Sequence, residues 1–142
     1  FYLKANKIFY EAIKGMLDAV LIGNDFGGQK RLMLSPDHIK KFAMPGAKKI
    51  VDQAKSYGLK VIYHSCGSIF EAIPEFIKIG VDAIHPIQSL AVNMEPERLK
   101  KHYLDTAYSG VVKSQCTNFV NFFSFGSNCL HLSLTTPSGI LL

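Results

Sequence analysis

Short apolar runs alternate with helix-forming segments along this chain, and that alternation limits the folds open to it. Residues 18–24 (DAVLIGN), 59–64 (LKVIYH) and 81–87 (VDAIHPI) are too short for helices and rich in β-branched residues, so each is predicted to be a buried strand. Residues 106–112 (TAYSGVV) read as a weaker fourth strand. Helical segments lie between them. Residues 3–16 set Ile8, Ala12, Ile13 and Met16 at helical spacing. A second helix begins at Ser35-Pro36, where Ser35 can cap and Pro36 suits the first helical position. It runs towards Tyr57, with a kink expected at Pro45 and a stop at Gly58. Cys66-Gly67-Ser68 reads as a turn in which Ser68 can cap the next helix, residues 70–79, which stops at Gly80. Residues 95–103 form a short helix with Glu95 and Glu97 near its positive end.

Strands that alternate with helices pair in parallel through right-handed crossovers, so the fold class is α/β. Strands that are apolar nearly throughout predict a sheet covered on both faces. An open doubly wound sheet and part of a closed barrel both satisfy this pattern. A complete barrel needs about 200 residues, so a length of 142 alone favours the open sheet.

Composition removes other classes. No run of eighteen apolar residues exists, so no membrane span is expected. The net charge of +5 comes from lysines spread over helix faces, such as Lys40, Lys48, Lys55 and Lys100, with no basic stripe interleaved with aromatics, so no nucleic-acid partner is expected. The chain starts at Phe1 without a signal-peptide pattern, which reads as a cut N-terminus. Cys66, Cys116 and Cys129 are an odd set of three, which argues for reduced thiols and a cytoplasmic location. Residues 114–142 contain no Asp, Glu, Lys or Arg and hold no period, so they are set apart from residues 1–113 as an anomalous tail, frameshifted or divergent.

Polar residues gather where the predicted strands end. The first run ends at Asn24-Asp25, the second at His64-Ser65-Cys66, the third carries His85 and leads to Gln88, and the fourth carries Ser109 and leads to Gln115. The carboxyl edge of a parallel sheet is where α/β proteins bind ligands. His64 and Cys66 are two apart, so in extended backbone they share a face, and imidazole and thiolate are zinc ligands. An inert buried pair is the plain alternative. Asp25 precedes Phe26-Gly27-Gly28-Gln29, either a carboxylate facing substrate or an ordinary turn former. His85 precedes Pro86 and is open to three roles: ligand, acid–base group or buried donor.

These residues resemble a known family. Asn24-Asp25-Phe26-Gly27-Gly28-Gln29 followed by Leu34-Ser35-Pro36-Asp37 is similar to the D-x-G-x-Q … S-P-E segment of the uroporphyrinogen decarboxylase superfamily. His64-Ser65-Cys66-Gly67-Ser68-Ile69 resembles its H-S-C-G-x-I strand end, residues 79–88 (IGVDAIHPIQ) its G-V-D-x-x-N-P-x-Q, and residues 93–100 (NMEPERLK) its G-M-D-P-x-x-L-K. The resemblance runs in order over residues 1–112.

It implies a partial (β/α)₈ barrel of about four βα units, reversing the preference drawn from length. It is nearest the corrinoid-dependent methyltransferase branch, where such a His and Cys bind catalytic zinc with a further Cys. That implies His64 and Cys66 as metal ligands, Asp25 and His85 as catalytic groups, Gln29 and Gln88 as substrate-binding groups, and a corrinoid carried by a partner protein. The implied reaction moves a methyl group from the corrinoid to a small-molecule thiol. The alternatives are decarboxylation of a tetrapyrrole's acetate side chains, as in porphyrin biosynthesis, and an inactive truncated product. The sequence departs from the family after the fourth strand, where Ser109-Gly110-Val111-Val112-Lys113-Ser114-Gln115 replaces G-G-x-D-x-Q, and neither Cys116 nor Cys129 falls where the third cysteine belongs.

Overall fold

The computed structural model describes residues 1–103 and the backbone of a strand at Phe123–Ser124. In order, the elements are α1 (Tyr2–Ala12), β1 (Ala19–Gly23), α2 (Pro36–His38), a π-helical turn (Ile39–Ala43), α3 (Met44–Ser56), β2 (Lys60–His64), a 3₁₀ turn (Phe70–Ala72), α4 (Ile73–Ile79), β3 (Ala83–His85), α5 (Pro96–Tyr103) and β4 (Phe123–Ser124).

The three predicted strands form, each trimmed at its ends. They lie side by side in chain order, β1-β2-β3, all parallel, and the register aligns Gly23 with His64 and His64 with His85. The strand predicted at residues 106–112 lies outside the described residues. Beside β3 runs β4, antiparallel, with Ala83 opposite Ser124 and Ile84 opposite Phe123.

The long helix predicted from Pro36 is divided as Pro45 requires. Proline has no N–H to give to the preceding turn, and its ring crowds the carbonyl four residues back. The backbone widens just before it into the π-turn, where the Met44 N–H reaches back to the Ile39 carbonyl. Ser35 caps the start as expected, its Oγ accepting from the His38 N–H at 3.2 Å. Ser68 does not cap. Its Oγ donates to the Val92 carbonyl at 2.8 Å, tying the turn after β2 to the loop after β3.

Among the described residues, helices cover one face of the sheet. Alternation along β2 buries Val61 and Tyr63, and these join Ile84 of β3 in one core with Val51 and Ala54 of α3 and Ile73 and Phe76 of α4. The Tyr63 and Phe76 rings stack at 4.5 Å between centroids. Leu21, Ile62, Ala83, His64 and His85 lie on the opposite face, where Leu21 is 57% exposed. Strands laid down in sequential order, each crossover returning on the same side, leave the other face without helices among the described residues. Asp82 fastens the amino end of this sheet: its Oδ2 accepts from the Val61 N–H at 2.9 Å and from Lys55 Nζ at 2.9 Å. The polar strand ends therefore sit at the opposite, carboxyl edge.

Candidate active site

Two loops meet at that edge. The loop after β1 carries Asp25, Phe26, Gly27 and Gly28, and the loop after β2 carries Ser65, Cys66, Gly67 and Ser68. They touch backbone to backbone. An ideal Cβ on Gly27 would lie 2.5 Å from the Cys66 carbonyl oxygen, and one on Gly67 would lie 2.4 Å from the Gly27 oxygen. Gly67 also has φ +79°, a conformation that disfavours any side chain. The Ser68 N–H donates to the Gly28 carbonyl at 2.8 Å. Ser65, fully buried on the helix-covered face, accepts the Phe26 N–H on its Oγ at 3.0 Å.

That contact assembles a donor group. The Cys66 N–H donates to Asp25 Oδ1 at 2.8 Å. His64 Nε2 stands 3.6 Å from Cys66 Sγ and 3.4 Å from Asp25 Oδ1. Ligand atoms of Asp25, His64 and Cys66 all lie within 4.8 Å of one another. Tetrahedral zinc, with bonds of about 2.0–2.1 Å to nitrogen and oxygen and 2.3 Å to sulfur, sets an N···S edge of about 3.6 Å and an N···O edge of about 3.4 Å. The N···S and N···O separations are close to those edges, the Sγ–carboxylate separation lies within 4.8 Å, and these three donor types could hold a zinc ion.

The electrostatics follow from the same contacts. The Cys66 N–H holds the Asp25 carboxyl below its usual range, against a smaller opposing effect of burial. Burial pushes the Cys66 thiol up, and the Asp25 charge beside it pushes further. Burial lowers His85, with His64 adding to the effect. Across the strand pair, His64 and His85 face each other with their Nδ1 atoms 3.2 Å apart.

The two glutamines converge on the rim of this group. Gln88 Oε1 accepts from the Gly67 N–H at 2.9 Å and faces Gln29 Nε2 at 3.4 Å. The candidate residues Asp25, Gln29, His64, Cys66, His85 and Gln88 therefore come together at one sheet edge, while Ser109 and Gln115 lie outside the described residues.

The uroporphyrinogen decarboxylase (URO-D) family model matches residues 8–103, a span that begins within α1 and contains every residue of this edge. The chain belongs to the uroporphyrinogen decarboxylase family. No curated protein and no solved structure matches it. Within the family segment the arginines are Arg31 and Arg98. Arg98 lies on α5 with its guanidinium 5.0 Å from the centre of the Phe70 ring. Arg31 is exposed in the loop after β1, its carbonyl accepting from the Gly28 N–H.

Sequence reasoning did not find Asp25 as a third donor, because its place depends on two loops crossing. The glycines at 27, 28 and 67 were the available hint, since glycine permits that approach. Ser65 could have been found: strand alternation puts it on the covered face, where a hydroxyl needs a partner. A third cysteine ligand, sought at Cys116 or Cys129, falls outside the described residues.

Proposed function

We propose that this chain is a section of a family (β/α)₈ barrel carrying the zinc centre of a thiol methyltransferase, with His64, Cys66 and Asp25 as its protein ligands. The observation that carries this reading is the pair of separations around His64 Nε2, 3.6 Å to sulfur and 3.4 Å to oxygen. Three protein donors with an open fourth position are the pattern of catalytic zinc. Sequential parallel strands with helices on one side fit consecutive units of the barrel, and the site sits at the face where barrels hold their chemistry.

When bound, zinc would supply a Lewis-acidic centre that favours a substrate thiol in its anionic, nucleophilic form. The protein's own residues do the rest. His64 offers its Nε2 lone pair. Cys66 binds a cation only after losing its proton, and its raised pKa makes that loss depend on the cation's field. Asp25 brings a carboxylate that remains ionised at neutral pH. The Gln29 and Gln88 amides lie beside the group and can hold polar atoms of a small thiol. The methyl donor in this reading is a corrinoid on a partner protein, and a reduced Cys66 suits a cytoplasmic setting.

Decarboxylation of a tetrapyrrole needs cations at the mouth for several carboxylates. Of the two arginines here, Arg98 packs on Phe70 and Arg31 is exposed in the loop after β1. The chain is incubated with methylcobalamin and a small thiol such as 2-mercaptoethanol, and loss of the methyl–cobalt absorbance is followed. Thiol-dependent loss that requires added zinc and Cys66 supports the proposal. Carbon dioxide release from a porphyrinogen without metal would replace it with the decarboxylase reading.

A further inference from the structure

We infer that His85 is a positioning residue for this centre: its Nδ1 accepts the Nδ1–H of His64 and so keeps the His64 Nε2 lone pair directed at Cys66 and Asp25. The inference rests on the zinc reading above and adds to it a residue that acts through His64.

Backbone register alone creates the pair. His64 closes β2, His85 closes β3, and the two are partners in a parallel ladder, so both side chains leave the sheet on the same face. The ladder continues one step beyond, with the Ser65 N–H donating to the His85 carbonyl at 2.9 Å, so the pair is fixed on both sides of His64. At 3.2 Å the two Nδ1 atoms are at hydrogen-bond distance. A neutral imidazole has one N–H and one acceptor nitrogen. Two N–H groups cannot point at each other across that gap, and two lone pairs would repel, so one proton lies between the rings.

Its placement decides what His64 can do. If His85 is the acceptor, His64 carries its hydrogen on Nδ1 and its Nε2 is a bare donor facing sulfur at 3.6 Å and oxygen at 3.4 Å. If His85 is the donor, the His64 hydrogen sits on Nε2, inside the group, and excludes a cation. Metal-binding histidines generally give their other N–H to such an acceptor, and loss of the acceptor costs about 10- to 100-fold in metal affinity.

The test uses the full chain and three proteins: native, His85→Asn and His85→Leu. Asparagine places a carboxamide oxygen where the imidazole has Nδ1, whereas leucine places a methyl there. Zinc affinity is measured by competition with a chromophoric chelator, and long-range ¹H–¹⁵N spectra of the zinc-loaded native protein report which His64 nitrogen holds the proton. Expected are an Nδ1–H on His64, near-native affinity in His85→Asn, and a loss of about 10- to 100-fold in His85→Leu. Equal affinity in all three, or equal losses in both variants, overturns the inference while leaving the zinc reading intact. A His64 proton on Nε2 in the loaded native protein overturns it without recourse to any variant. Failure of the native chain to take up zinc removes the zinc reading, and the inference with it.

Discussion

Replacing Gly67 with alanine tests whether the close crossing of two loops builds the site. The new Cβ would fall 2.4 Å from the Gly27 oxygen, 2.5 Å from the Gly27 carbonyl carbon and 2.6 Å from the Gly28 oxygen, all backbone atoms that no rotamer change can move aside. At φ +79° an alanine also carries a left-handed penalty of about 1–2 kcal/mol. To make room the loops must part, which breaks the Ser68 N–H bond to Gly28 and the Gly67 N–H bond to Gln88. At about 1 kcal/mol for each lost bond, the total destabilisation comes to roughly 3–4 kcal/mol. Urea unfolding followed by circular dichroism reads this as a midpoint about 2 M lower, for a slope of about 1.5–2 kcal/mol per molar. Gly46→Ala is the internal control. Gly46 lies in α3 with nothing within 4 Å of its ideal Cβ, so the same change there stabilises by about 0.5–1 kcal/mol. A Gly67→Ala protein within about 0.5 kcal/mol of native, the scatter expected of neutral surface changes, would refute the packed-loop account.

Ser65→Ala leaves the buried Phe26 N–H without its acceptor, and chemical denaturation should show a loss of about 1–3 kcal/mol. Asp82→Ala removes the acceptor of the Val61 N–H at the amino end of the sheet, and a drop of about 1–2 kcal/mol is expected, with the Asp25–His64–Cys66 group unaffected because it lies at the other edge. His85 is depressed in the folded chain, so between its folded pKa and the ordinary value of 6.5 the unfolded chain binds more protons. Its contribution is complete above 6.5 and is lost as pH falls through the folded value; the stability–pH slope below 6.5 should therefore be shallower in His85→Asn, as measured by urea midpoints across pH. Tyr63 is pushed up to about 12 by burial, so stability falls as pH rises from the ordinary tyrosine value of 10 through 12. Ultraviolet titration should show a tyrosine ionising near 12, and that component should vanish in Tyr63→Phe.

The strands were legible because burial on a sheet selects short β-branched runs, and β1, β2 and β3 fall within the predicted segments. Ser35, Pro45, Gly58 and Gly80 act as punctuation for local chemical reasons, and such reasons travel with sequence. What lies on the second face was not legible, because an apolar run such as VIY shows that two faces tolerate apolar residues and does not say what covers each. Position before a helix suggests a cap at Ser68, but its hydroxyl instead donates to an acceptor brought near only by folding, the Val92 carbonyl. His64 and Cys66 were visible through their spacing of two. Asp25 as their third companion was not, since 39 residues separate it from His64 and only the folded loops bring them together.

Metal content of the purified chain puts the account to its most direct trial. Elemental analysis after dialysis against zinc should find one equivalent bound to native protein and essentially none bound to Cys66→Ser or His64→Ala, both still folded by circular dichroism. Zinc retained equally by native and Cys66→Ser protein would contradict the assignment of this sheet edge as a metal centre.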